Sequence, residues 1–182
     1  MTRFVTWLGS LGVVVFVLVG LNAADMLLVA FGNITDYGTN YAFVQHVLSM
    51  DTTNFGQKEG ADLDPDVMWR AIDNPVLWNI GYIAIIAAEL VAGLACAAAL
   101  VLWLRRRDAV AKSVASIGLL LIVLIFMGGF IVVGGEWFQM WRSTAWNGED
   151  SALRNVLLAG IALVLLHLPR GAGTGTLRSD DR

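Results

Sequence analysis

The sequence predicts an all-α membrane protein: a four-helix transmembrane bundle with both termini on the cytoplasmic side and one partly helical outer loop. Three observations carry that expectation. Hydrophobic residues make up 57% of the 182-residue chain and charged residues 15%, against about 45–50% and about 25% in soluble domains. Four continuous apolar runs approach or exceed the roughly 20 residues that a helix needs to cross hydrocarbon. Lysine and arginine are shared unequally between the two sides of those runs, 8 against 4.

The first span is expected over 5–32 and holds Asn22 and Asp25. Its early part looks like the apolar core of a cleavable signal, with small residues at Ala23-Ala24. Asn22, however, would stand third before a cut after Ala24, and the apolar run resumes at Met26, so a retained helix is expected. The second span, 75–104, opens on Asn74-Pro75, an N-cap residue followed by a first-turn proline, and carries Glu89. The third, 113–138, is thinned by Gly128, Gly129, Gly134 and Gly135 and has Glu136 at its far end. The fourth, 149–168, begins with Glu149, Asp150 and Ser151, which suit a helix N-terminus, and is stopped by Pro169. Together these make one transmembrane domain, 1–170, followed by a Gly/Thr-rich and then charged tail, 171–182, expected to be disordered.

Arg3, Arg105, Arg106, Arg107, Lys112, Arg170, Arg178 and Arg182 fall on one side, and Lys58, Arg70, Arg142 and Arg154 on the other. The first set is expected in the cytoplasm, of which the short loop around Arg105–Arg107 is the strongest sign. Trp7 and Trp103 would then mark the inner interface, and Trp69, Trp78, Trp137, Trp141 and Trp146 the outer one. The outer loop, 33–74, sets seven acids against Lys58 and Arg70. A loop of that length without structure would be unusual. Short helices are expected over 41–50 and 67–72, the second introduced by Asp64-Pro65-Asp66.

Few residues offer chemistry. Asp25, Glu89 and Glu136 form a candidate intramembrane polar or ion site. A carboxylate at the helix centre costs on the order of 2.5–3.5 kcal/mol on insertion scales, so such groups are expected to face the bundle interior. Interhelical hydrogen bonding by Glu89 and a proton or ion pathway are both open. Arg142 is placed to pair with Glu136 or Asp25. The stripe Gly81, Ala84, Ala88 and Ala92 on span two would let a neighbouring helix approach closely, within the chain or from a partner.

The acids from Asp62 to Asp73 echo a calcium loop, but Val67 replaces the required glycine and Asp73 the bidentate glutamate. One cysteine, Cys96, and two histidines, His46 and His167, leave no framework for a metal, haem or disulfide. No nucleophile–base pair and no phosphate-binding loop can be drawn. A net charge of −3 carries no nucleic-acid footprint. The chain is therefore expected to be no enzyme and to use no metal or other cofactor. Asn33-Ile34-Thr35 matches a glycosylation sequon but begins at the membrane end of span one.

The stretch from Asn33 to Thr52 is distinctive, as is Gly135-Glu136-Trp137-Phe138-Gln139-Met140-Trp141 followed by Trp146-Asn147-Gly148. With the span layout, these resemble a bacterial family of predicted small integral membrane proteins of unknown function, over most of the chain except the tail. The resemblance implies four transmembrane helices and no particular activity, cofactor or site. Both stretches would emerge on the same outer face. Asp36, Asn40, His46, Trp137, Trp141 and Arg142 are therefore the candidate outer-rim binding surface.

The expected role is that of a non-enzymatic accessory or structural subunit of the cell (inner) membrane. It would contact lipid and dock with a second copy or with other membrane subunits. The alternative is a small proton- or cation-coupled carrier that uses the intramembrane carboxylates.

Overall fold

The structure, a computed structural model, describes residues 2–169, leaving aside the side chain of Arg3. The tail expected over 171–182 lies outside the described residues. Helices are the only regular structure among the described residues: α1 (Thr2–Leu8), α2 (Leu11–Thr35), α3 (Tyr37–Ser49), α4 (Pro75–Leu104), α5 (Asp108–Trp137) and α6 (Glu149–His167), with one-turn 3-10 helices at Met68–Arg70 and Met140–Arg142. The helices α2, α4, α5 and α6 are long and apolar enough to cross a membrane.

Sequence and structure agree closely on where α4 begins. The Asn74 side chain caps it, accepting from the N–H of Val76 at 2.9 Å, with Pro75 in the first turn. The expected first span is displaced. A break at Gly9-Ser10 separates α1, and Ser10 caps α2 by accepting from Val13 N–H at 3.4 Å. The helix then runs three residues past the expected end, as far as Thr35. In α5 the α-helical hydrogen bonding of Asp108–Val123 gives way to π-helical bonding over Leu124–Trp137. Glycines at 128, 129, 134 and 135 relieve the side-chain crowding that normally confines such wide turns to single bulges.

The core is built where small residues bring helices together. Ala92, Cys96 and Ala99 of α4 meet Ala115 and Leu119 of α5, with Val15, Val19 and Met26 of α2 and Ala159 and Ala162 of α6 closing the cluster. A Cβ on Gly118 would stand 3.0 Å from the Cys96 nitrogen and 3.1 Å from the Ala92 oxygen, so this glycine sets the α4–α5 distance. The close approach is thus made in the half of the bundle that holds the α4–α5 turn. Of the expected stripe only Ala92 joins it, while Ala84 is exposed and Gly128 and Gly129 face open space. Outward lie Leu28, Phe31, Ile80, Leu94, Leu124 and Val164, each more than half exposed. Only 22–33% of each spanning window is buried, so most apolar side chains point away from the protein. Their natural surroundings are lipid.

The outer loop is folded, as its length required. Asn54 Nδ2 donates to the carbonyls of Lys58 and Ala61, both at 2.9 Å. Ile72 N–H returns to Leu48 O at 2.8 Å, and Phe55 N–H reaches Arg142 O at 3.0 Å. Trp78, expected at the interface, is buried and donates its Nε1–H to Ile72 O, which anchors the loop to α4. The helix expected over 67–72 is realised as the 3-10 turn Met68–Arg70.

Candidate functional site

The site grows from one amide. The last turns of α2 place Asn33 on the same face as Met26 and Ala30, and Asn33 is buried at 5% exposure. Its Nδ2 donates to Oε2 of Glu89, in the middle of α4, at 2.8 Å. Its Oδ1 accepts from Asn40 Nδ2 on α3 at 2.6 Å, and its main-chain carbonyl accepts from the Tyr82 hydroxyl at 3.3 Å. After Asp36 the chain enters α3 with no further linker. That tight entry brings Asn40 back onto Asn33. Three helices are thereby joined by hydrogen bonds with a fixed direction: Asn40 donates to Asn33, and Asn33 donates to the Glu89 carboxyl. Buried groups joined in this way hold one another in place.

Glu89, 2% exposed to solvent, belongs to the wall of a cavity of about 450 Å³. Its polar lining includes Asn33, Asn40, Glu89, Asn147, Ser151 and Asn155, and its apolar lining includes Val29, Tyr82, Phe126 and Phe130. The cavity lies in the half of the bundle that carries the 33–74 loop, between α2, α3, α4, α5 and the start of α6. No residue from the opposite halves of the helices lines it; there Val19, Cys96, Ala99 and Leu119 are fully buried against one another.

The expected intramembrane trio does not assemble. Asp25 and Glu136 are both exposed on the outside of the bundle, and only Glu89 turns inward. For Asp25 the reason is helical phase. At about 100° per residue it sits a quarter-turn from Met26, the inward residue. For Glu136 the wide turns of α5 move it off the buried face that Gly134 and Gly135 occupy.

Arg142 pairs with neither acid. Its Nη1 donates to Asp64 Oδ2 at 3.0 Å. That bond, with one from the N–H of Asp66, holds the Asp64 carboxyl below its ordinary pKa. The acids of 62–66 are therefore parted, Asp64 serving to clip the loop.

The outer rim divides in two. Asn40 belongs to the cavity. His46 stands beside it: its ring stacks on Trp146 with centroids 4.5 Å apart, and Nδ1 lies 2.9 Å from both carboxylate oxygens of Asp51. Asp36 is exposed and accepts from the Thr39 hydroxyl. Trp137, Trp141 and Arg142 belong to the loop clip. Trp137 meets Trp69 edge-on at 5.6 Å under the Arg70 guanidinium, and Arg142 lies over Trp141 at 5.2 Å.

Among the described residues, His46, Asp51 and Glu59 bring ligand atoms within 4.8 Å of one another, the grouping nearest to a cation site. Their separations of five and eight positions follow no helical repeat, which is why the sequence does not single them out.

Asn33, Tyr82, Ser151 and Asn155 are site residues that the sequence reading passed over. The signal for Asn33 was present: positions 26, 30 and 33 follow the i, i+4, i+7 spacing of one helix face. A span that ends at residue 32 excludes it. The sequon asparagine is instead buried, with its side chain bonded to Glu89 and Asn40.

Residues 11–169 match the family described as predicted small integral membrane protein (DUF2165), and the chain belongs to that family. No curated protein and no solved structure matches it.

Proposed function

We propose that this small integral membrane protein is a non-enzymatic accessory subunit of the cell (inner) membrane, with both termini cytoplasmic, that engages its partner or ligand through the cavity above Glu89. One observation carries the reading. Of the three intramembrane carboxylates only Glu89 is inside, and it lies at the deep end of a cavity confined to the outer half of the bundle. A carrier needs groups that continue beneath such a residue. Here the space beneath is filled by close-packed Ala92, Cys96, Ala99 and Leu119. A buried acid held by an amide and facing a cavity of mixed polarity suits recognition. The uneven share of lysine and arginine supports the orientation.

Three measurements test this. Cys96 is buried, so a cysteine placed at Asn155, which is half-buried and lines the cavity, would be the only accessible thiol among the described residues. Asn155→Cys in intact cells is expected to react with a membrane-impermeant maleimide added outside. No labelling there, with labelling in inverted vesicles, overturns the orientation; no labelling from either side overturns the open cavity. Purification from native membranes in mild detergent is expected to give a complex, and a lone monomer would remove the accessory role. Proton-coupled flux in liposomes that is lost in Glu89→Gln would establish the carrier instead.

A further inference from the structure

A second cavity shares walls with the first. It is an apolar groove of about 330 Å³ between α3, α4 and the π-helical part of α5. Gly81, Ala84 and Ala88 form one side, Gly129 and Gly134 the other. Here lie the stripe of small residues on α4 and the glycines of α5 that the inner core does not use. Phe43, Val44, Ile85 and Phe130 belong to both cavities, and the rings of Phe43 and Phe130 stack at 6.0 Å on the boundary. Ala84, Gly129 and Val133 are exposed on the outer wall of the bundle, so the groove opens sideways, at the level where the surroundings are hydrocarbon.

Resting on the reading of the Glu89 cavity as a binding site, we infer that its ligand is a long-chain amphiphilic amine that enters from the bilayer. The hydrocarbon chain lies in the groove beside Gly129, and the ammonium lies on the carboxyl of Glu89. The charge of the head follows from the carboxyl: Asn33 holds one oxygen of Glu89 and the Asn155 amide lines the same chamber, while the Ser151 hydroxyl at its rim accepts from Arg154 Nη2 at 2.8 Å. Among the described residues no lysine or arginine side chain lines either cavity. An ammonium gives Glu89 the charge partner that the protein itself does not supply, and a buried charge is retained when it is so paired. The chain follows from the groove, which has apolar walls and shares Phe43, Val44, Ile85 and Phe130 with the polar chamber. An ordinary soluble cation would have no use for it.

The full-length protein in phosphatidylcholine nanodiscs, a lipid without a primary amine, is titrated with radiolabelled dodecylamine, butylamine and dodecanol, with empty nanodiscs as the blank. Saturable dodecylamine binding is expected, weakened about tenfold or more by Glu89→Gln, through loss of a charge-assisted contact. Gly129→Leu is expected to weaken it similarly by plugging the groove. Its added side chain starts in open space, so the fold tolerates it. Circular dichroism checks both variants, and Ala84→Leu serves as a second groove block. Butylamine binding as tight as dodecylamine overturns the role of the groove. Dodecanol binding as tight overturns the role of the charge, and so does an unchanged Glu89→Gln. If Asn155→Cys is labelled and dodecylamine does not bind, the amine inference falls and the cavity reading stands. If Asn155→Cys is unreactive from both sides, the cavity reading itself falls.

Discussion

Replacing Asn33 with alanine removes two side-chain hydrogen bonds at once, the 2.8 Å donation to Glu89 and the 2.6 Å acceptance from Asn40, while the Tyr82 bond to the main-chain carbonyl survives. Interhelical bonds within membrane bundles average about 0.6 kcal/mol, with a maximum near about 1.7. Two of them, one to an acid, put the expected loss at about 1–3 kcal/mol. Reversible unfolding by SDS in mixed micelles, followed by circular dichroism, measures it. Glu89→Ala and the double variant complete a cycle whose coupling energy isolates the Asn33–Glu89 bond, expected at about 0.5–2 kcal/mol. Asn33→Asp makes the point differently. It keeps an acceptor for Asn40 but turns the donor facing Glu89 into a second acceptor, so it is expected to cost more than alanine. If Asn33→Ala is neutral, or if the single losses simply add, the two side chains do not hold each other and the derivation of the site fails.

Two further outcomes follow from the same geometry. Gly118→Ala places a methyl against the backbone of Ala92 and Cys96 and is expected to cost about 1–3 kcal/mol by overpacking, whereas Gly128→Ala, where nothing lies within 4 Å, is expected to be harmless; SDS titration of the pair checks this. The Asp64–Arg142 clip predicts acid sensitivity of the loop. The Asp64 pKa is lowered in the folded loop, so its contribution is present above the ordinary carboxylate value of 3.8 and is lost as pH falls through the lower folded value. Cleavage of the loop by a protease active at low pH is expected to increase in the native protein as pH falls through that value, while Asp64→Asn is expected to be cut readily even at neutral pH; equal protection of the two at neutral pH would show that the pair does not clip the loop.

The residues show why the sequence revealed the spans more readily than the site. Membrane spans are local: Asn74-Pro75 announces the start of α4 through side-chain bonds from the N–H groups of Val76 and Leu77. The break at Gly9-Ser10 is equally local, yet it lies inside an apolar run that continues on both sides. The π-helical turns of α5 are invisible to hydropathy, because hydrophobicity does not report which carbonyl a given N–H selects. The partners that matter are distant: 56 positions separate Asn33 from Glu89 and 78 separate Asp64 from Arg142. A sequence lists the charges available for pairing and leaves the choice to the packing.

That choice has a physical logic within the bundle. Glu136 sits at the end of α5 and is exposed, where headgroups and water are within reach; Asp25, ten residues before the end of α2, is exposed on the outward face of its helix. Glu89, 14 residues beyond the start of α4, has no such exit. It must be met from inside, and Asn33 is the group that meets it. Asn33 is itself held from the other side by Asn40 on α3. The acid, the amide behind it and the short outer helix therefore form one structural unit. The cavity is the space this unit leaves against the thin, glycine-rich end of α5, and a change to any of the three residues is expected to alter the shape of that space before it disturbs the inner core.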